Sequence, residues 1–312
     1  MTTAPLTPAQ TAVLTRRVTS LSVATAVILV AAKTAAWLAS GSVALLASLA
    51  DSGLDLLASL ITLYAVRYAV APPDAEHRFG HGKAEAFASL MQGGLVFASA
   101  ALIGREAIVG IMDPKPIAAG GWAIGVMGLS VGLTLGLITV QSWVLKRTRS
   151  VAVAGDRAHY AADLASNIAA MAGIAGAALL GLAWLDAAAG LLVAAWLLWG
   201  AIGVFREAGN QLMDHELPEV DRARIIALMK QDPRIQDVHQ LRTRASGPYI
   251  HIQMHADLDP DSTLAAAHDA VVAAENRVLE AFPEADIIIH PDPHGRAEPH
   301  GGTFGEAEHA AR

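Results

Sequence analysis

The sequence runs to 312 residues with 54% hydrophobic content and a positive mean hydropathy, too apolar for an ordinary soluble chain of this size, so a bilayer is the expected solvent. It contains no cysteine, which excludes disulfides and thiolate ligands and leaves any metal chemistry to His, Asp and Glu. A formal net charge of -7 argues against nucleic acid as a partner.

The opening segment, MTTAPLTPAQTAVLTRR, is polar and leads straight into a full-length apolar stretch, as expected of a retained first span rather than a cleaved leader. Crossing the hydrocarbon takes about 20 helical residues. Six segments reach that length, at about 18–39, 43–69, 86–110, 121–145, 154–181 and 184–205, and none alternates every second residue as barrel strands do. Basic residues cluster on one side of these spans: Arg16 and Arg17 before the first, Arg67, Arg78 and Lys83 after the second, Lys146, Arg147, Arg149 and Arg157 after the fourth, and Arg206 after the sixth. The intervening connections carry Lys115 alone, so both termini are expected in the cytoplasm.

From about residue 211 the pattern is that of a water-soluble domain. LMDHELPEVDRARIIALMKQD predicts an amphipathic helix with Pro218 near its start, and VHQLRTRAS and YIHIQMHADL predict two strands about Gly247 and Pro248. DSTLAAAHDAVVAAENRVLEAF has a helical period with Asp261 or Ser262 as N-cap, and ADIIIH is a short strand. The expected architecture is a membrane all-α six-helix bundle over 1–210, a small cytoplasmic α+β domain of order α-β-β-α-β over 211–295, and a disordered Gly-rich tail over 296–312.

Ionisable groups inside a span are costly, about 3 kcal/mol each on insertion scales, and are functional candidates by default. Asp51 and Asp55 fall in the second span, His159 and Asp163 in the fifth. Each pair is spaced i, i+4 on one helix face, at a depth of roughly 12–18 Å. The alternative is that these groups only hydrogen-bond between helices. Three aspartates and a histidine in two same-face pairs exceed what that role needs. One imidazole and three carboxylates instead suit a tetrahedral Zn²⁺ site. Such a site binds metal only when deprotonated, which predicts exchange of metal against protons. Lys33 is expected to snorkel or pair, and Arg105 with Glu106 to lie near an interface.

The strings LLASLADSGLDLLASL and GDRAHYAADLASN resemble the cation diffusion facilitator family, in its bacterial ferrous-iron and zinc efflux branch. PPDAEHRFGHGKAEAFASL, LMDHELP, LRTRASGP and IIIHPDP extend the resemblance over nearly the whole chain in the right order. It implies a six-span bundle with a ferredoxin-like cytoplasmic domain, acting as a homodimeric secondary antiporter of the bacterial inner membrane, with divalent metal ions and protons as its partners and no enzymatic activity. It also implies Asp51, Asp55, His159 and Asp163 as transport site, with Zn²⁺ and then Fe²⁺ or Cd²⁺ as cargo. Asp74, His77 and His81 match a loop site. His239, His255, His268, His290 and Asp292 match a two-metal cytoplasmic cluster bridged by Asp292, and Lys83 with Asp214 a charge interlock between protomers. Tail histidines such as His294, His300 and His309 are expected to be unstructured or to buffer metal. Two rival classes remain: an intramembrane metallohydrolase, for which no HExxH motif is present, and a metal sensor that binds without translocating. No GxxxxGK[ST] phosphate loop is present to support an ATP-driven pump.

Overall fold

The computed structural model describes residues 6–40, 43–112, 121–180 and 184–296, which form two compact units. One is Gln10–Leu212, and the other comprises Met213 onward together with the residues before Gln10. The expected tail lies outside the described residues apart from Arg296, as does the loop that carries Lys115.

The first unit is six long helices: α1 Pro8–Ser40, α2 Val43–Ala69, α3 Ala84–Met112, α4 Gly121–Thr148, α5 Val151–Leu180 and α6 Trp184–Leu212. Their ends follow local chemistry. Proline opens α1, where its missing N–H costs nothing, and Lys146 and Arg147 fill the last turn of α4, where cations suit the helix dipole. Five of the six, α1 to α4 and α6, are long and apolar enough to cross a membrane. The sequence reading expected six spans, and among the described residues α5 does not meet that measure. The part of α5 whose side chains are described, 151–169, carries Asp156, Arg157, His159 and Asp163.

Packing explains why α5 tolerates them. It contributes Ala162 to a cluster with Val96 and Ala100 of α3 and Leu197 and Ala201 of α6, and Ala152 to one with Ala65 and Val66 of α2 and Ala88 of α3. Val153 joins Val18 of α1 and Val144 of α4. The first half of α5 is thus packed among the other helices, whereas Leu54, Leu102, Leu192 and Trp199 turn large apolar side chains outward. Gly155 lets α5 approach α3 so closely that a Cβ there would lie 3.0 Å from the Ser89 Cα.

The second unit has α7 Glu219–Met229, β1 Asp237–Ser246, β2 Tyr249–Leu258, α8 Leu264–Ala281 and β3 Ala285–Pro293, in sheet order β1-β2-β3. β1 and β2 form an antiparallel hairpin through Gly247, whose φ of 57° suits glycine. β2 and β3 are parallel, which requires the α8 crossover. Ile250, Ile252, Met254, Ala256 and Leu258 of β2 form the core with Ile225 and Met229 of α7 and Ala270, Ala274 and Val278 of α8. Three boundaries differ from expectation. α7 starts only after Pro218, because Glu216 and Leu217 are tied to Thr243 of β1. The cap of α8 is Thr263, whose hydroxyl accepts the Ala266 N–H, while Asp261 is held in a turn by Asp259. β3 continues past His290 to Pro293.

Candidate metal centres

The first centre lies within the helix unit. His159 Nε2 of α5 is 3.0 Å from Asp55 Oδ1 of α2 and 3.9 Å from Asp163 Oδ2 one turn along its own helix. One ligand atom from each of these three residues lies within 4.8 Å of the others. Asp55 and His159 are buried at 8% and 5% exposure, and His159 Nδ1 makes no hydrogen bond. A metal placed among them would therefore meet donors already desolvated. Asp51 lies outside this close set: it is exposed, one turn before Asp55 on α2, and near enough to Asp55 and His159 to interact electrostatically. The Lys33 ammonium donates to the Ser48 carbonyl at 3.1 Å and to the Ser52 hydroxyl. Arg105 and Glu106 form an exposed ion pair.

Sequence reasoning missed the polar network beneath this centre. Asp156, fully buried three residues before His159, accepts from Ser22 of α1 at 2.6 Å, Gln141 of α4 at 2.9 Å and Gln92 of α3 at 3.3 Å. Gln92 also donates to Thr62 of α2. Tyr160, next to His159, shares a hydrogen bond with Ser59 of α2 and donates to the Ser22 carbonyl. One carboxylate therefore joins α5 to three other helices. The available signal was Asp156 itself, placed at i-3 from His159.

The second centre is in the loop after α2. Asp74 Oδ1 is 3.2 Å from His77 Nδ1 and Asp74 Oδ2 is 3.2 Å from His81 Nε2, with all three ligand atoms within 4.8 Å of one another. The backbone N–H groups of His77 and Glu76 donate to Asp74, and the His77 bond above all holds its carboxyl below the usual range. The His81 ring is buried against Tyr68, the ring centroids 4.4 Å apart and the planes tilted by 53°, with Nδ1 facing the Ala71 carbonyl at 3.4 Å. Its Nε2, although close to Asp74, lacks the alignment of a hydrogen bond and so keeps a lone pair directed into the site.

The third centre is on the sheet of the second unit. His239 faces His255 across the β1–β2 ladder, and His255 faces His290 across β2–β3. His255 Nδ1 is 2.8 Å and His239 Nε2 3.4 Å from Asp292 Oδ2, and His290 Nε2 is 3.3 Å from Asp292 Oδ1. His239, His255 and Asp292 form the close set. His268 does not join it. It is exposed on α8, whose apolar side packs on the opposite face of the sheet. His251, of unassigned role in the sequence, pairs with Asp286 at 3.0 Å. Of the expected interlock, Lys83 donates to the Leu212 carbonyl in the first unit, and Asp214 pairs with Arg244 in the second.

Comparison with known proteins adds an independent line. Residues 20–213 match the family described as cation efflux transmembrane domain, and residues 217–294 that described as cation efflux protein, cytoplasmic domain. The cation-efflux pump FieF of Klebsiella pneumoniae is 38% identical over 281 residues, covering 88% of this chain and 91% of that protein. FieF of Salmonella newport is 37% identical with the same coverage. Among solved structures, the metal-bound C-terminal domain of the CzcD transporter from Thermotoga maritima is 23% identical, covering 26% of this chain and all of that one, with a TM-score of 0.25. With five helices fit to cross a bilayer, His and Asp donors brought together from α2 and α5, and matches to both domains, the chain belongs to the cation efflux family of membrane transporters, the cation diffusion facilitators.

Proposed function

We propose that the protein exports Zn²⁺, with Fe²⁺ and Cd²⁺ as further cargo, from the cytoplasm by exchange for protons across a bacterial inner membrane. The observation that supports this reading is the trio Asp55, His159 and Asp163 brought together from α2 and α5, with Asp55 and His159 buried and Asp163 half-buried. A site of one imidazole and carboxylates favours Zn²⁺ over harder ions. Asp51, one turn away on α2, supplies the fourth ligand when the helices shift. Three carboxylates in low dielectric cannot all stay charged without a cation, so metal entry expels protons and proton return expels metal.

In this reading α5 is the sixth span, its polar half shielded by α2, α3, α4 and α6, and both termini are cytoplasmic. The protein works as a homodimer. Its cytoplasmic domain holds metal on the sheet at His239, His255, His290 and Asp292, and His268 reaches such a cluster only from a partner subunit, because the sheet separates it from the cluster of its own. Asp74, His77 and His81 collect ions at the loop, and Lys83 with Asp214 interlocks the protomers.

Reconstitution tests the proposal. Proteoliposomes with an imposed pH gradient should take up Zn²⁺, and Asp163→Ala or Asp55→Ala should abolish uptake while leaving the protein folded. Zn²⁺ binding without gradient-driven flux would replace the transporter reading by a sensor.

A further inference from the structure

The open face of the sheet offers more donors than the set His239, His255 and Asp292 uses. Because Ile250 to Leu258 send alternate side chains to the helices, His255 and Asp257 turn to the other side, in register with His290 and Asp292 of β3. Asp257 is as enclosed as the set itself: its side chain is 11% exposed, against 12%, 13% and 12% for His239, His255 and Asp292. Its Oδ1 is 3.0 Å from His239 Nε2 and its Oδ2 3.2 Å from His294 Nδ1. His294 is fixed there by its own backbone N–H, which donates to the Leu258 carbonyl at 2.7 Å.

Building on the reading of His239, His255 and Asp292 as a metal centre, we propose that Asp257 is a fourth protein ligand of the divalent ion there, with His294 as the residue that positions its carboxylate. The donors form a continuous row: Asp257 Oδ1 to His239 Nε2 at 3.0 Å, His239 Nε2 to Asp292 Oδ2 at 3.4 Å, and Asp292 Oδ2 to His255 Nδ1 at 2.8 Å. Ligands bound at about 2.0–2.2 Å to one tetrahedral Zn²⁺ stand roughly 3–3.5 Å apart, so small side-chain rotations bring the row around one ion.

Two further arguments exclude leaving Asp257 out. Metal on His239 Nε2 removes the hydrogen that Asp257 Oδ1 accepts, and an enclosed carboxylate oxygen would lose its partner unless the metal takes it. Charge agrees, since two carboxylates and two neutral imidazoles neutralise a dication within a desolvated pocket, whereas one carboxylate leaves it positive. His294 holds the second oxygen of Asp257 as His290 holds that of Asp292. The result is a closed four-ligand centre within one subunit, of the kind that retains an ion for structure rather than passing it on.

The test uses the full chain in detergent carrying Asp55→Ala, Asp163→Ala and His77→Ala, so that the sheet centre alone is titrated with Co²⁺. The visible absorption should be the intense band of four-coordinate Co²⁺. Adding Asp257→Asn should weaken that band toward a higher-coordinate, water-containing form and lower affinity at least about tenfold. His294→Ala, at a half-exposed position that tolerates truncation, should keep the band and weaken binding by about 10–100-fold. Asp257→Asn or His294→Ala with unchanged spectrum and affinity overturns the assignment. No Co²⁺ signal in the starting variant overturns the metal reading of the whole centre, a result separable from any loss of transport.

Discussion

Asp156 provides the sharpest test of how the helix unit is held together, because its two oxygens meet different donors. Oδ2 takes Ser22 at 2.6 Å and Gln141 at 2.9 Å, and Oδ1 takes Gln92 at 3.3 Å. Asp156→Asn can keep the two shorter bonds by turning its carbonyl toward Ser22 and Gln141. Its amide then faces the Gln92 amide, and Gln92 can answer by rotating its otherwise unpartnered Oε1 inward at the loss of its bond to Thr62. The net loss is about one buried hydrogen bond, about 1 kcal/mol. Asp156→Ala instead strands three buried donors from three helices and opens a void, a loss of about 3–5 kcal/mol. At about 2–4 °C per kcal/mol for a unit of this size, Asn should lower the melting temperature by a few degrees and Ala by roughly 6–20 °C. The six tryptophans allow melting in detergent to be followed by intrinsic fluorescence. Equal drops for the two variants, or a smaller drop for Ala, would refute the view that this carboxylate joins α5 to its neighbours.

Further outcomes follow from single contacts. His159→Asp makes the buried trio all-carboxylate, and competitive uptake into proteoliposomes should shift from Zn²⁺ toward Mn²⁺; an unchanged ion ranking would mean the imidazole does not set preference. Gly155→Val should force α5 from α3 at a cost of about 1–3 kcal/mol, whereas Gly53→Ala, with nothing within 4 Å of the added carbon, should be neutral or stabilising in the same melting assay. His81→Ala removes a ring buried against Tyr68 and should speed amide exchange across residues 70–82. In the second unit, the Arg234 side chain above all holds the Asp232 carboxyl down to about 2, below its unfolded value near ~3.9. That contribution is present in full above pH ~4 and is lost as pH falls through about 2. With Arg234 half exposed the gain is about 1–2 kcal/mol, so calorimetry should show Asp232→Asn less stable than the parent at pH 6 and equal to it near pH 2.

Much of this was legible in the sequence because the bilayer and the metal impose coarse rules. Hydrocarbon demands long apolar runs, and α1 to α4 and α6 show them, with α1 starting at Pro8 and α6 ending at Leu212, beyond the expected 18 and 205. A helix turn fixes which residues share a face, so the pairs Asp51 with Asp55 and His159 with Asp163 were identifiable from i+4 spacing, whereas His239, His255, His290 and Asp292 came from the family resemblance. What spacing cannot give is the identity of the facing element. That the first half of α5 lies among the other helices, which makes Asp156 tolerable, depends on inter-helix packing at positions such as Gly155 and Ala162. Likewise the sequence placed His268 on a helix, and only the packing of α8 against the apolar face of the sheet put it on the far side from the cluster it was expected to join. Local periodicity decides which way a side chain points from its own element, and tertiary packing decides what it meets there.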